Sequence, residues 1–186
     1  MTVDVETEIE IARPRTEVAA YVCDPGNATT WYENIKSVEW ETAPLAAVGS
    51  RIAFVAHFLG RRIAYTYEVS AMTPGEHFVM STAQGPFPME TTYTWQDAAD
   101  GGTRMTLRNR GVPAGFARVG APMMAAAMCR ANRKDLQRLK QILEVRRRSR
   151  IRLIGGRRAA ARGSRVRSAT TAAPRSCPTS GRSRAT

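Results

Sequence analysis

Residues Val3 to Pro25, VDVETEIEIARPRTEVAAYVCDP, decide how the rest of the chain is read. Val3, Val5, Thr7, Ile9 and Ile11 alternate with Asp4, Glu6, Glu8 and Glu10. A period of two belongs to a strand with one dry face and one wet face. Pro14 then suits a first helical turn, where its missing N–H is no loss, and Val18, Tyr21 and Val22 recur at helical spacing. A short amphipathic helix over residues 14–22 is predicted. Asp24-Pro25 repeats the signal, with aspartate as cap and proline behind it, for a second short helix ending near Trp31 or Tyr32.

Working outward, the pattern from residue 35 predicts six further strands, at about 35–42, 50–58, 61–72, 76–84, 88–97 and 103–110. Leu59-Gly60-Arg61, Thr73-Pro74-Gly75, Gln84-Gly85-Pro86 and Asp100-Gly101-Gly102 separate them with the residues that tight reversals need. Connections this short require antiparallel neighbours. Beyond a Gly- and Pro-containing segment over 111–122, Met124, Met128, Leu136, Leu139 and Leu143 form one helical stripe. Arg130, Arg133, Lys134, Arg138 and Lys140 fall mostly off that stripe.

The net charge of +12 suggests a polyanion binder until its distribution is read. Residues 1–145 hold all 16 acidic and 15 of the 28 basic residues, a net −1, whereas the other 13, all arginine, lie in 146–186. The expected organisation is therefore one α+β domain over 1–145 and a disordered Arg-rich tail over 146–186, because the tail has too few apolar residues to fold alone. Cys23, Cys129 and Cys177 are too few and too scattered for a disulfide framework or a zinc site. The acidic, alternating N-terminus is unlike a signal peptide, and no apolar run is long enough to span a membrane. A cytoplasmic protein is expected, with no metal and no cofactor.

The stretches VETEIEIARPRTEVAAYVCDP from Val5, Trp31, VGSRIAF from Val48, YEVSAMTPGEHFVM from Tyr67, GPFPMETTYTW from Gly85, GGTRMTL from Gly101 and DLQRLKQILE from Asp135 together resemble the START/polyketide-cyclase-like (SRPBCC) superfamily over about residues 3–145. The resemblance implies a helix-grip fold. In it a seven-stranded curved antiparallel sheet wraps around a long C-terminal helix, with two short helices between the first two strands. It also implies binding of an apolar molecule between sheet and helix, a lipid or a polyketide for example, and in some members cyclisation or dehydration of it.

Strand alternation assigns the residues that face such a hollow. The candidates are Phe54 and Phe58, Tyr65 and Tyr67, and Met80, followed by Tyr93, Trp95 and Met105, with Asn109 as a polar group. From the helical side come Phe116, Met123, Met124, Ala127 and Met128. Small and flexible side chains in the first half of the helix fill a concavity less well than the leucines of the second half, which predicts a cavity beneath them. His57 and His77 fall on the opposite register and are expected at the surface, while Trp31 and Trp40 are read as structural. No HExxH, phosphate-binding glycine motif or GxSxG is present, so the parts for metal hydrolysis, nucleotide binding and serine-hydrolase chemistry are missing. The reading that follows is a non-catalytic carrier or sensor of a small hydrophobic ligand. The alternatives are a polyketide cyclase or dehydratase using the same cavity, and binding of nucleic acid or an anionic membrane through residues 146–186.

Overall fold

The computed structural model describes residues 2–58, 60–84, 88–112 and 120–163, without the side chains of Phe58 and of residues 146–163. The opening stretch forms β1, Val3–Ile11, buried and exposed at alternate residues, as its period demands. It is followed by α1, Arg15–Val22, a 3₁₀ turn at Pro25–Asn27, and α2, Ala28–Trp31. The second predicted helix is thus split. The Asp24 carboxylate accepts the Gly26 N–H at 2.9 Å and caps the 3₁₀ turn, and the α-helical turn starts only after it.

Six strands follow: β2, Ile35–Trp40; β3, Arg51–Phe58; β4, Arg61–Thr73; β5, His77–Thr82; β6, Met89–Asp97; and β7, Thr103–Gly111. All pair antiparallel in one sheet of order β1-β7-β6-β5-β4-β3-β2, so the first strand closes against the last while the others form a simple meander. Gly101, with φ of 76°, takes the left-handed position in the β6–β7 turn. Its neighbour Gly102 has no room for a side chain, because a Cβ there would lie 2.8 Å from the Ile11 carbonyl oxygen. Register shifts between Ile35 and Ser37 and between Val69 and Ala71 add local bends, and the sheet curls. Outside it, Arg104 and Arg108 of β7 bridge to the acidic residues of β1, so the wet face is an ion-paired ladder.

The last element is α3, Ala121–Gly163. Two units divide the chain, Met1–Ser149 and Arg150–Thr186, and every strand lies in the first. Within that unit α3 packs on the concave face of the sheet, where Leu136, Leu139 and Leu143 are buried with Ile9, Ile52, Val69, Phe78, Trp95 and Met105. A smaller apolar cluster joins Val3 and Val5 to Ala121, with Met124 and Met128 against it. The helical backbone passes residue 145, where the composition changes. Of the tail expected to be disordered and to carry polyanion binding, residues 164–186 lie outside the described residues. Among the described residues no helix is long and apolar enough to cross a membrane.

Candidate functional site

Residues of both apolar clusters wall a cavity of about 200 Å³. Its floor is the sheet. Phe54 and Ala56 come from β3, Tyr65 and Tyr67 from β4, Phe78 and Met80 from β5, Thr91 and Tyr93 from β6, and Asn109 from β7. Trp31 and Tyr32, at the end of α2, close one side. Its roof is α3, through Met124, Met128, Ala131, Asn132 and Asp135. Met124, Met128, Ala131 and Asp135 are spaced by four, three and four residues, one stripe of the helix, and all precede Leu136.

Of the residues singled out in the sequence, Phe54, Tyr65, Tyr67, Met80, Tyr93, Asn109, Met124 and Met128 are brought together around this cavity. Trp95 and Met105 face the same side of the sheet and are buried in the larger apolar cluster, but they do not line the cavity. Alternation gives a side chain's face, not its distance along the strand from the helix that covers it. Met123 is 76% exposed, because one step along a helix turns a side chain by about 100° from its neighbour. Ala127 is half-buried and does not line the cavity. Phe116 lies outside the described residues, as does the side chain of Phe58. His57 is exposed and His77 half-buried, and neither lines the cavity. Trp31, read as structural, is 1% exposed and also forms part of the wall.

The polar groups of the wall are largely spent on one another. Thr91 and Asn109 are partners in the β6–β7 register, and the Asn109 amide donates to the Thr91 hydroxyl at 2.9 Å. The Tyr67 hydroxyl meets the same Thr91 oxygen at 3.0 Å, and the Asn132 amide donates to Asn109 Oδ1 at 2.8 Å. One chain of hydrogen bonds thus ties β4, β6, β7 and α3 across the hollow. Tyr32 and Tyr93 pair through their hydroxyls at 2.7 Å. Burial is the main cause that holds the Tyr65, Tyr67 and Tyr93 phenols above their usual range, so all three are neutral. Their rings fall in two aromatic groups: Tyr65 stacks with Phe54 at 5.9 Å and meets Tyr67 edge-on at 5.4 Å, and Tyr93 stacks with Phe78 at 6.0 Å.

Among the described residues, Asp135 is the one acidic residue of the wall. It is 3% exposed, and its Oδ1 accepts the Glu33 backbone N–H at 3.0 Å, tying α3 to the segment after α2. Burial pushes its carboxyl from 3.8 up to about 6, against the Glu33 N–H, with the Glu33 carboxylate adding to the rise and Lys134 and Arg138 opposing it. A carboxyl that holds its proton more tightly when folded adds stability below its unfolded value, and that contribution is lost as pH rises through its folded value. Wild-type protein is therefore expected to lose on the order of 2 kcal/mol relative to Asp135→Asn between about pH 4 and pH 7 in urea titrations. A pH-independent difference between the two proteins would show that the carboxyl is not buried.

A sheet gripping one helix, with an apolar hollow between them, defines a helix-grip protein with an internal cavity. Solved structures share the fold. TTHA0849 from Thermus thermophilus is 18% identical with a TM-score of 0.65, covering 74% of this chain and 94% of that one. Zhui aromatase/cyclase from a Streptomyces species is 15% identical with a TM-score of 0.67, covering 78% and 96%. Ginseng major latex-like protein 151 from Panax ginseng is 10% identical with a TM-score of 0.62, covering 76% and 97%. No curated protein is matched by the sequence. Residues 2–144 match the family model described as polyketide cyclase / dehydrase and lipid transport, and the chain belongs to that family. The SRPBCC resemblance is thereby confirmed.

Proposed function

We propose that this protein binds and carries, or senses, a small hydrophobic molecule in the cavity beneath the Ala/Met half of α3. The observation that supports this best is the hollow itself. It is walled by aromatic and methionine side chains, and it sits where the helix offers Met124, Met128 and Ala131 in place of leucine. Protein interiors are otherwise close-packed, and an apolar void of about 150 Å³ is enough to admit benzene. A cavity of about 200 Å³ suits a molecule of one or two fused rings. Removing about 300 Å² of such a ligand's apolar surface from water contributes roughly 7 kcal/mol before the costs of association.

A second reading, a cyclase or dehydratase, is favoured by Asp135, whose carboxyl at about 6 is suited to exchanging protons near neutral pH. Turnover separates the two, since a carrier returns its ligand unchanged. For the carrier, native mass spectrometry of freshly purified protein is expected to show an added small mass that is lost on denaturation. Its absence from material made in several hosts, together with failure to bind any apolar probe, would overturn the reading.

A further inference from the structure

We propose that Asp135 accepts a hydrogen bond from a hydroxyl group of the bound molecule, so that the ligand class is a compact, ring-sized apolar molecule bearing a hydroxyl. The inference rests on the cavity being a binding site and specifies what it selects. Asp135 is an acceptor left short. A carboxylate offers about four lone-pair positions, yet among the described residues only the Glu33 N–H fills one, on Oδ1, and nothing donates to Oδ2. Tyr67, Thr91, Asn109 and Asn132 serve one another, as do Tyr32 and Tyr93. The Thr82 hydroxyl accepts the Gln84 N–H, and Gln84 Oε1 accepts the Thr66 N–H. The Trp31 indole N–H is sealed from solvent and gives a guest no donor. Asn34 and Tyr65 also lack side-chain hydrogen bonds among the described residues, but both are neutral and half-buried, and leaving a neutral group unpaired costs less than leaving a carboxylate so.

Asp135 Oδ2 is not sealed as the Trp31 indole N–H is, so water can reach it only while the cavity is open. A guest that fills the cavity displaces that water, and one that brings its own donor avoids leaving a charged acceptor unpaired. The donor is a neutral hydroxyl and not an ammonium for two reasons. Lys134 and Arg138 on α3 already act on Asp135 and would repel a second cation, and stripping an ammonium of water in an apolar cavity is expensive. An O–H bond to a carboxylate is about twice as strong as one between neutral groups.

Three probes of nearly one shape test this with the full chain: naphthalene, 2-methoxynaphthalene and 2-naphthol, titrated at about pH 8. Wild type is expected to bind 2-naphthol about tenfold more tightly than 2-methoxynaphthalene. In Asp135→Asn the ratio falls to near one, because the amide NH₂ replaces an acceptor with a donor that either oxygen can use. The preference also shrinks as pH falls through about 6. Around Asp135 the charged and titratable groups are the Glu33 carboxylate and the Tyr32 phenol before β2, Tyr93 on β6, and Lys134 and Arg138 on α3. Equal binding of the three probes by wild type, or a preference that survives Asp135→Asn, overturns the proposal and leaves the cavity reading standing. Tighter binding of 2-(aminomethyl)naphthalene than of 2-naphthol overturns it in favour of a cation. If none of the probes binds, the cavity reading falls and takes this proposal with it.

Discussion

Replacing Ala131 by phenylalanine is expected to weaken binding of any apolar probe by more than about 100-fold while leaving the domain folded. Ala131 sits in the middle of the α3 stripe that roofs the cavity, between Met128 and Asp135. A phenyl ring is the size of the benzene that a void of about 150 Å³ accommodates, so it would occupy most of the roughly 200 Å³ here. Small-to-large changes in a filled interior usually cost about 1–3 kcal/mol through forced rotamers. Here the added ring enters empty apolar space, and thermal melting is expected to be unchanged or raised. The measurement is probe titration alongside a melting curve. Undiminished binding by a folded Ala131→Phe protein would place the ligand elsewhere.

Leu139→Ala is expected to lower stability by about 3–4 kcal/mol, read as a shift in urea midpoint at constant slope. Leu139 has no exposed surface and lies with Leu136 and Leu143 among sheet residues that include Ile52, Val69 and Trp95. Removing its branched end leaves a hole in a region with no slack, and the lost transfer energy and the cavity term add. The same change one half-helix earlier, Met128→Ala, borders a space that is already open and is expected to cost about 1 kcal/mol or less. The contrast tests the division of labour along α3: leucines anchor the helix, and methionines and alanines leave room. A cost below about 1.5 kcal/mol for Leu139→Ala would mean that the helix is not held where the structure places it.

The two halves of α3 were legible in the sequence because residue size is local information. So was the order of elements, since the alternation of Val3 to Ile11 and the turn residues at Gly60, Gly75 and Gly101 each act over a few bonds. The single-helix expectation after Asp24 erred by a turn, where the choice between 3₁₀ and α geometry depends on what Pro25 and Ala28 pack against. Among the proposed site residues, the period of two put Phe54, Tyr67, Met80 and Tyr93 on the inner face, and the structure has them around the cavity. For the same reason it could not separate them from Trp95 and Met105, which share that face under the leucine half of α3.

Asp135 shows the limit most clearly. In the sequence it is an acidic residue beside Arg133, Lys134 and Arg138, a composition that reads as a solvated face. Only its helical phase with Met124 and Met128 carried a signal, and Ala131 between them shares it. Asn132 and Thr91 were passed over likewise, because a polar residue shows its role only when its partners are known.

The sequence alone determined the kind of elements, their order and which face of each is dry, because period, turn chemistry and side-chain volume are properties of short stretches of chain. Tertiary structure decided where along those dry faces the hollow opens and which polar groups end inside it. That outcome depends on where one helix crosses seven strands, and contacts such as Asn132 to Asn109 or Asp135 to Glu33 exist only once the chain has brought distant segments together.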